Sequence, residues 1–275
     1  MKSAKFDYVV ANTVAEAAAS LTSAGASAAI IAGGQSLVPM LNLRVAAVDL
    51  LVDISGIEEL KTTRETPAGL LIGALITHAD IEDGKIPDLF GRLLRHVAAG
   101  ISYRAIRNYG TIGGSVALAD PAADWPVCLM ALGANVCIAA GETIRSQPIA
   151  TFIQGQYTTA LDKNEIVVGL DVPRPDAQFS WGFRKVVRKN GAFADSIAVV
   201  VQRGGTVSIA LGGAVPRPFL LAAAAKQLGD GKTSDGALRA AVTQDLTAQM
   251  PQADAYLMRL HTSTILHAVR EMRSR

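Results

Sequence analysis

Two paired-glycine segments carry the residue types with which a chain grips an anion by its own backbone. Ala32-Gly33-Gly34-Gln35-Ser36 follows the apolar run Ala28–Ile31, and Thr111-Ile112-Gly113-Gly114-Ser115 precedes Asp120-Pro121-Ala122-Ala123-Asp124. Glycine reaches positive φ cheaply and lets the main chain approach a ligand closely. Successive N–H groups then form a concave nest for phosphate oxygens. One such loop holds a phosphate; two, brought together by folding, grip both phosphates of a dinucleotide from opposite sides. A single Gly-Gly turn is common, so the pairing of the two segments carries the inference.

The side chains around these loops extend the reading. Gln35, Ser36, Thr111 and Ser115 can add hydrogen bonds to phosphate or sugar oxygens. Asp120, just before Pro121, reads as a helix cap, whereas Asp124 reads as a ligand for sugar or ribityl hydroxyls. His78 follows Thr77 at an expected strand end, a common address for site residues, although a lone histidine there is more often structural. The first loop lacks the Gly-Lys-Ser/Thr of a Walker A motif and the Gly-x-Gly-x-x-Gly of a nicotinamide binder. No nucleophile elbow, His-Glu-x-x-His motif or paired-carboxylate signature is present. Phosphate cradles without acid–base machinery point to chemistry carried by a cofactor.

The elements that must hold these loops follow from periodicity and punctuation. Residues 13–23 predict a helix, with Glu16 three residues after a Thr13 cap and Gly25 as its end. Strands are expected at 28–31, 48–54 and 70–76, a short helix at 36–43, and a helix at 86–99 with Leu89, Leu93 and Val97 on one face. The stretch 100–124 is too long and polar for a mere connector, which marks it as functional. A helix over 121–132 and strands over 136–139 and 166–172 complete the first unit. Val172-Pro173-Arg174-Pro175-Asp176 reads as a linker. Beyond it, strands at 179–187, 196–202 and 206–211, with turns at Asn190-Gly191 and Gly204-Gly205, precede helices at 218–228, 234–244 and 254–272. That is a three-stranded sheet covered by helices, the second of two α+β domains.

Composition narrows the class. The chain has 275 residues, half of them hydrophobic, so a sizeable core forms without disulfides or metals. A formal net charge of +2, 5% aromatics and the lack of a long basic run give no nucleic-acid footprint. The densest basic stretch, Arg184-Lys185-Val186-Val187-Arg188-Lys189, reads on spacing alone as a solvated strand end. Cys128 and Cys137 read as buried thiols of a cytoplasmic protein, and two cysteines fall short of the four ligands of a [2Fe–2S] cluster. No apolar run reaches the roughly 18–20 residues of a membrane span, and residues 1–12 have no long apolar core of a secretory signal.

With these residues in place the chain resembles the FAD-binding medium subunits of molybdenum hydroxylases, the carbon monoxide dehydrogenase and xanthine dehydrogenase family. The first loop with Leu37-Val38-Pro39-Met40 and Leu43-Arg44 is similar to that family's first flavin motif, and Thr111–Ser115 with Ala119–Asp124 to its second. Leu51–Ile54, Ile72-Gly73-Ala74, Thr77-His78, Ile106–Gly110 and Lys185–Lys189 before Gly191–Ala194 also match, so the likeness runs along essentially the whole chain.

The resemblance implies a two-lobed FAD-binding domain of the PCMH type over 1–175 and a small α+β C-terminal domain over 176–275. FAD would be bound non-covalently by Ile31, Ala32, Gly33, Gly34, Gln35, Ser36, Leu37, Ile106, Gly110, Thr111, Gly113, Gly114, Ser115, Asp124, Ile166, Val167 and Lys185. The two glycine loops would wrap the pyrophosphate, Asp124 would hold a ribityl or ribose hydroxyl, and Lys185 would lie near the flavin ring. Phe193 stands where some members have Tyr; it can cover a flavin face but lacks the hydroxyl. The implied function is electron exit. A large partner subunit would carry the molybdenum cofactor and a small one two [2Fe–2S] clusters, in a heterohexameric dimer of heterotrimers, with an external electron acceptor. Two other readings are a self-sufficient PCMH-type flavin oxidase and a non-catalytic assembly subunit. The short second unit and the absence of a clear attachment His or Cys weigh against the first. The intact glycines weigh against the second.

Overall fold

The computed structural model describes residues 2–24, 27–231 and 233–275; Gly25, the expected end of the first helix, lies outside them. The first lobe runs β1 (Asp7–Val10), α1 (Val14–Ala24), β2 (Ala28–Ile31), α2 (Leu37–Asn42) and β3 (Leu50–Asp53). β3 lies in the middle, parallel to both neighbours, with Val9 and Ile30 flanking Val52. α1 starts because Thr13 Oγ1 accepts from Glu16 N at 3.1 Å. The Glu16 carboxylate reaches back to Asn12 N rather than to the cap residue, a capping box displaced by one position. Ala17, Ala18 and Leu21 of α1 pack on Val52, Ile54 and Leu75.

The second lobe runs β4 (Thr63–Glu65), β5 (Gly69–Gly73), α3 (His78–Glu82), α4 (Leu93–Ala99), α5 (Arg104–Arg107), α6 (Ile112–Leu118), α7 (Asp124–Ala131), β6 (Asn135–Ala140), β7 (Thr143–Pro148), α8 (Ile149–Phe152), β8 (Ile153–Gly155), β9 (Thr158–Thr159) and β10 (Ile166–Pro173). Its main sheet is antiparallel in the order β4-β5-β10-β6-β7. The third unit runs β11 (Ser180–Val186), β12 (Ser196–Arg203), β13 (Thr206–Gly213), β14 (Phe219–Leu220), α9 (Ala222–Gly229), α10 (Asp235–Gln249) and α11 (Ala255–Arg273).

β12 ties the lobes together through its period of two. Ile197, Val199 and Val201 face the second lobe and join the core around α7, whereas Ala198 and Val200 face α9, α10 and α11. Full burial of each Val or Ile is worth about 1.5–3 kcal/mol, so this strand is a seam between two cores. α7 is buried along its whole length, because it lies between the second-lobe core and the third sheet.

The α+β class and the two-lobed arrangement followed by a smaller sheet-and-helix unit match expectation; several details do not. The helix expected over 86–99 begins only at Leu93. Gly91 and Arg92 take φ of 53° and 67°, which no right-handed helix tolerates. The helix expected from Pro121 begins at Asp124 with Ala123 as its N-cap. Asp120 therefore caps nothing: its Oδ1 accepts from Ala122 N and its Oδ2 from the Tyr157 hydroxyl. The third sheet has four strands, not three, because Phe219-Leu220 pairs with Ala210 and Leu211 and delays α9 to Ala222. The expected linker is packed: Val172 and Pro173 end β10, and Arg174 bonds Ala68 O and Glu65.

Candidate functional site

The three units meet at one cavity of about 450 Å³, within the size range of cofactor pockets. Every residue that the resemblance assigned to FAD lines it. β2 feeds the first glycine loop into its wall, and β10 contributes the buried apolar pair Ile166 and Val167. α6 and α7 point their first turns at it, and β11 of the third unit supplies Lys185.

The first loop has the geometry of an anion cradle. Gly34 takes φ of +68°. Among the described residues, the N–H groups of residues 33–37 have no acceptor, so five consecutive donors are left at the start of α2, where the helix dipole also favours negative charge. Gln35 does not add a donor to them: its Nε2 turns back onto Gly33 O at 2.9 Å. A Cβ at position 33 would overlap the carbonyl of Tyr109. Glycine is therefore required for this loop to lie against the segment that leads into the second.

The second loop works differently from the expected nest. Ile112 N donates to Ile76 O and Gly113 N to Ala74 O, both at 3.0 Å; Gly114 N donates to Thr111 Oγ1 and Ser115 N to Thr111 O. Of its backbone donors only that of Thr111 has no protein acceptor among the described residues. Gly113 serves close packing: a Cβ there would stand 2.5 Å from the Ala74 side chain. The loop is the capped start of α6, with Thr111 as N-cap.

Lys185 and Asp124 form the charged part of the wall. Lys185 Nζ lies 2.8 Å from Asp124 Oδ2 and donates also to Gly100 O. The two side chains are 11% and 6% exposed, so Lys185 is no solvated strand-end charge. Asp124 Oδ1 is buried with no partner. Burial pushes the Asp124 carboxyl up to about 6, against the pull of Lys185. His78 opens α3 beside the second loop, and Trp125 Nε1 donates to its Nδ1 at 3.0 Å. Burial, with Arg107 adding to it, lowers the imidazole to about 4. Phe193 sits at the mouth, 64% exposed. Ile101, Ser102 and Leu161 also line the cavity and carry no sequence motif; only the fold brings them there.

These residues fit FAD. Five free N–H donors suit a pyrophosphate, an orphaned carboxylate oxygen suits a sugar or ribityl hydroxyl, and a mainly apolar cavity suits a flat ring. Among the described residues no group of His, Cys, Asp or Glu has the arrangement of a metal site. Cys128 is wholly buried, and burial raises its thiol far above the usual range.

A family model described as the FAD binding domain in molybdopterin dehydrogenase matches residues 4–175. The chain is 36% identical over 220 residues to the glyceraldehyde dehydrogenase medium chain of Sulfolobus acidocaldarius, covering 78% of each. It is 36% identical to the carbon monoxide dehydrogenase medium chain of Hydrogenophaga pseudoflava, over 74% of this chain and 72% of that one. The solved carbon monoxide dehydrogenase of the latter organism superposes with a TM-score of 0.93 at 31% identity, over 100% of this chain and 99% of that one. Quinoline 2-oxidoreductase of Pseudomonas putida 86 gives 0.88 at 29%, over 100% and 99%.

Proposed function

Because this chain belongs to the family of FAD-binding medium subunits of molybdenum hydroxylases, we propose that it is the electron-exit subunit of such a complex. It receives electrons from two [2Fe–2S] clusters on a small partner and passes them to an external acceptor. A large partner holds the molybdenum cofactor and oxidises the substrate. The assembly is a dimer of heterotrimers in the cytoplasm; no helix among the described residues is long and apolar enough to cross a membrane. Residues 1–175 form the FAD-binding unit, and 176–275 complete the site by lending Lys185 and the turn that carries Phe193.

The observation that carries the reading is the cavity itself, with free donors at residues 33–37 at one part of its wall and the Lys185–Asp124 pair at another. FAD, when bound, supplies one- and two-electron redox chemistry that no side chain here offers. The protein's own work is positioning. The first loop holds phosphate oxygens through backbone donors, Asp124 Oδ1 accepts a hydroxyl, and Ile166 and Val167 keep water from that wall. Lys185 would hold a cation in the cavity wall, where it would favour negative charge on a bound cofactor.

Affinity capture of the tagged chain from its native host tests the proposal. The complex should contain molybdenum, about four iron atoms per flavin from two [2Fe–2S] clusters, and FAD that leaves the chain on denaturation. A complex without molybdenum, or release of FMN alone, would overturn it.

A further inference from the structure

The two glycine loops are unequal. The first offers five unspent N–H donors; the second has committed those of residues 112–115 to Ile76 O, Ala74 O and Thr111. A pyrophosphate lying between them needs donors on the second side as well, and the backbone there supplies only that of Thr111.

His78 stands where a further donor is needed. Its backbone N–H bonds Gly110 O at 2.9 Å, and Thr77 bridges Thr111. The imidazole edge that bears Nε2 lies against Gly110, close enough that a Cβ on Gly110 would meet Nε2 at 2.8 Å. The ring lines the cavity and is otherwise buried. Indole Nε1 is a donor and never an acceptor, so the 3.0 Å bond from Trp125 requires a lone pair on His78 Nδ1. A neutral ring then carries its single proton on Nε2. Among the described residues Nε2 has no partner, and it is not one of the sealed unpartnered atoms, Asp124 Oδ1 and His261 Nε2.

We propose that His78 is a cofactor-binding residue whose Nε2–H donates to a pyrophosphate oxygen of FAD, and that Trp125 is its positioning residue, fixing the donor tautomer. This rests on the FAD reading above. Trp125 is wholly buried against the α7 core, so the tautomer is set by the packing of the second lobe rather than by the ligand. A neutral donor also suits the site: it binds the phosphate without adding another charge to a wall that already holds Lys185.

The experiment uses the full chain, stripped of flavin and titrated with FAD, ADP and riboflavin. In the free protein, long-range ¹H–¹⁵N spectra should show His78 Nδ1 as the unprotonated nitrogen and Nε2 as the protonated one. FAD and ADP should both shift Nε2 and its proton, and riboflavin should not. His78→Leu should weaken FAD and ADP binding about 10- to 100-fold, the loss of a hydrogen bond to a charged acceptor. His78→Gln, which offers both an acceptor to Trp125 and a donor to the cavity, should stay within about threefold of wild type. Trp125→Phe should give a mixture of tautomers and an intermediate affinity. Unchanged FAD affinity in His78→Leu, or an Nε2 resonance that ADP leaves in place, would overturn the proposal while wild-type FAD binding still stood. A shift with riboflavin but not with ADP would overturn the pyrophosphate assignment. If His78→Leu does not fold, the wild-type resonances decide. Failure of the wild-type chain to bind FAD would instead refute the reading on which the proposal rests.

Discussion

Asp124 gives one carboxylate oxygen to Lys185 at 2.8 Å and keeps the other, Oδ1, buried without a partner. The two residues come from different units, the start of α7 and the C-terminal end of β11. The charged wall of the cavity therefore exists only when the third sheet is docked. Burying such a pair costs several kcal/mol of desolvation per ion before the attraction is counted. A hydroxyl ligand on Oδ1 would relieve part of that cost.

Removing the cation exposes the balance. Burial holds the Asp124 carboxyl at about 6 in the folded protein, above its ordinary value of about 3.9. A raised folded value means that this group's contribution is most favourable below about pH 4 and is lost as pH rises through about 6. Lys185→Met takes away the partner that opposes the shift, so the folded carboxyl rises further. Urea unfolding should show a modest deficit at pH 5 and one that grows towards about 3–5 kcal/mol at pH 8, the cost of an unpaired buried charge. Adding Asp124→Asn should close most of the gap at pH 8. A deficit equal at both pH values would show that the carboxylate is not charged in the folded chain.

The glycines should rank by what their Cβ meets. Gly33→Ala drives a methyl into the Tyr109 carbonyl, a backbone atom with nowhere to go, whereas Gly114→Ala meets only Thr111 Oγ1 at 2.8 Å. Overpacking of the first kind costs about 1–3 kcal/mol, and alanine in the helical turn at 114 regains about 1 kcal/mol of propensity. FAD occupancy after purification should therefore fall sharply in Gly33→Ala and little in Gly114→Ala. Equal losses would mean that the second loop meets phosphate through its backbone after all.

The glycine loops, Asp124 and the strands that hold them were legible because each is local: a Gly-Gly pair, an apolar run, an Asp at a fixed offset. What each loop does was not. The acceptors that consume the Ile112 and Gly113 N–H groups, Ile76 O and Ala74 O, lie more than thirty residues away and carry no side-chain signature. The Trp125–His78 bond spans 47 positions. Lys185 reads as surface charge beside Arg184 and Arg188, because alternation along β11 cannot reveal that a second lobe covers one face. β7, Thr143–Pro148, has a polar and largely exposed pattern, so no buried stripe marks it. The false start of α4 has a backbone cause, two left-handed residues in a row, and only Gly91 hints at it.

Acid should unfold the chain in part through His78. Its folded value near 4 lies below the ordinary 6.5. The neutral, Trp125-bonded ring therefore contributes stability that is complete above about pH 6.5 and is lost as pH falls through about 4. The full span corresponds to about 3 kcal/mol. Replacing the ring with Gln keeps an acceptor for Trp125 and removes the titration. Between pH 7 and pH 4, wild type should lose about 3 kcal/mol more stability than His78→Gln in urea titrations. Parallel losses would place the proton-linked unfolding in other groups.

An electron-exit subunit should be unable to oxidise the organic substrate by itself. Around the cavity the imidazole of His78 is neutral and bonded to Trp125, Asp124 is paired with Lys185, Asp120 accepts from Ala122 N and the Tyr157 hydroxyl, and Glu165 is paired with Arg145. The open oxygen Asp124 Oδ1 belongs to a carboxyl already held by Lys185, so the site does not present the unengaged base that proton abstraction from a carbon substrate needs. Phe193 lines the cavity and is exposed, so the cavity is open to solvent there and is not a closed substrate pocket. The isolated FAD-loaded chain, kept anaerobic, should bleach on adding dithionite and stay oxidised when a panel of organic compounds, glyceraldehyde and quinoline among them, is added. The intact complex should bleach with its own organic substrate. Bleaching of the isolated chain by an organic substrate at a rate comparable to turnover would instead mark it as a self-sufficient oxidase.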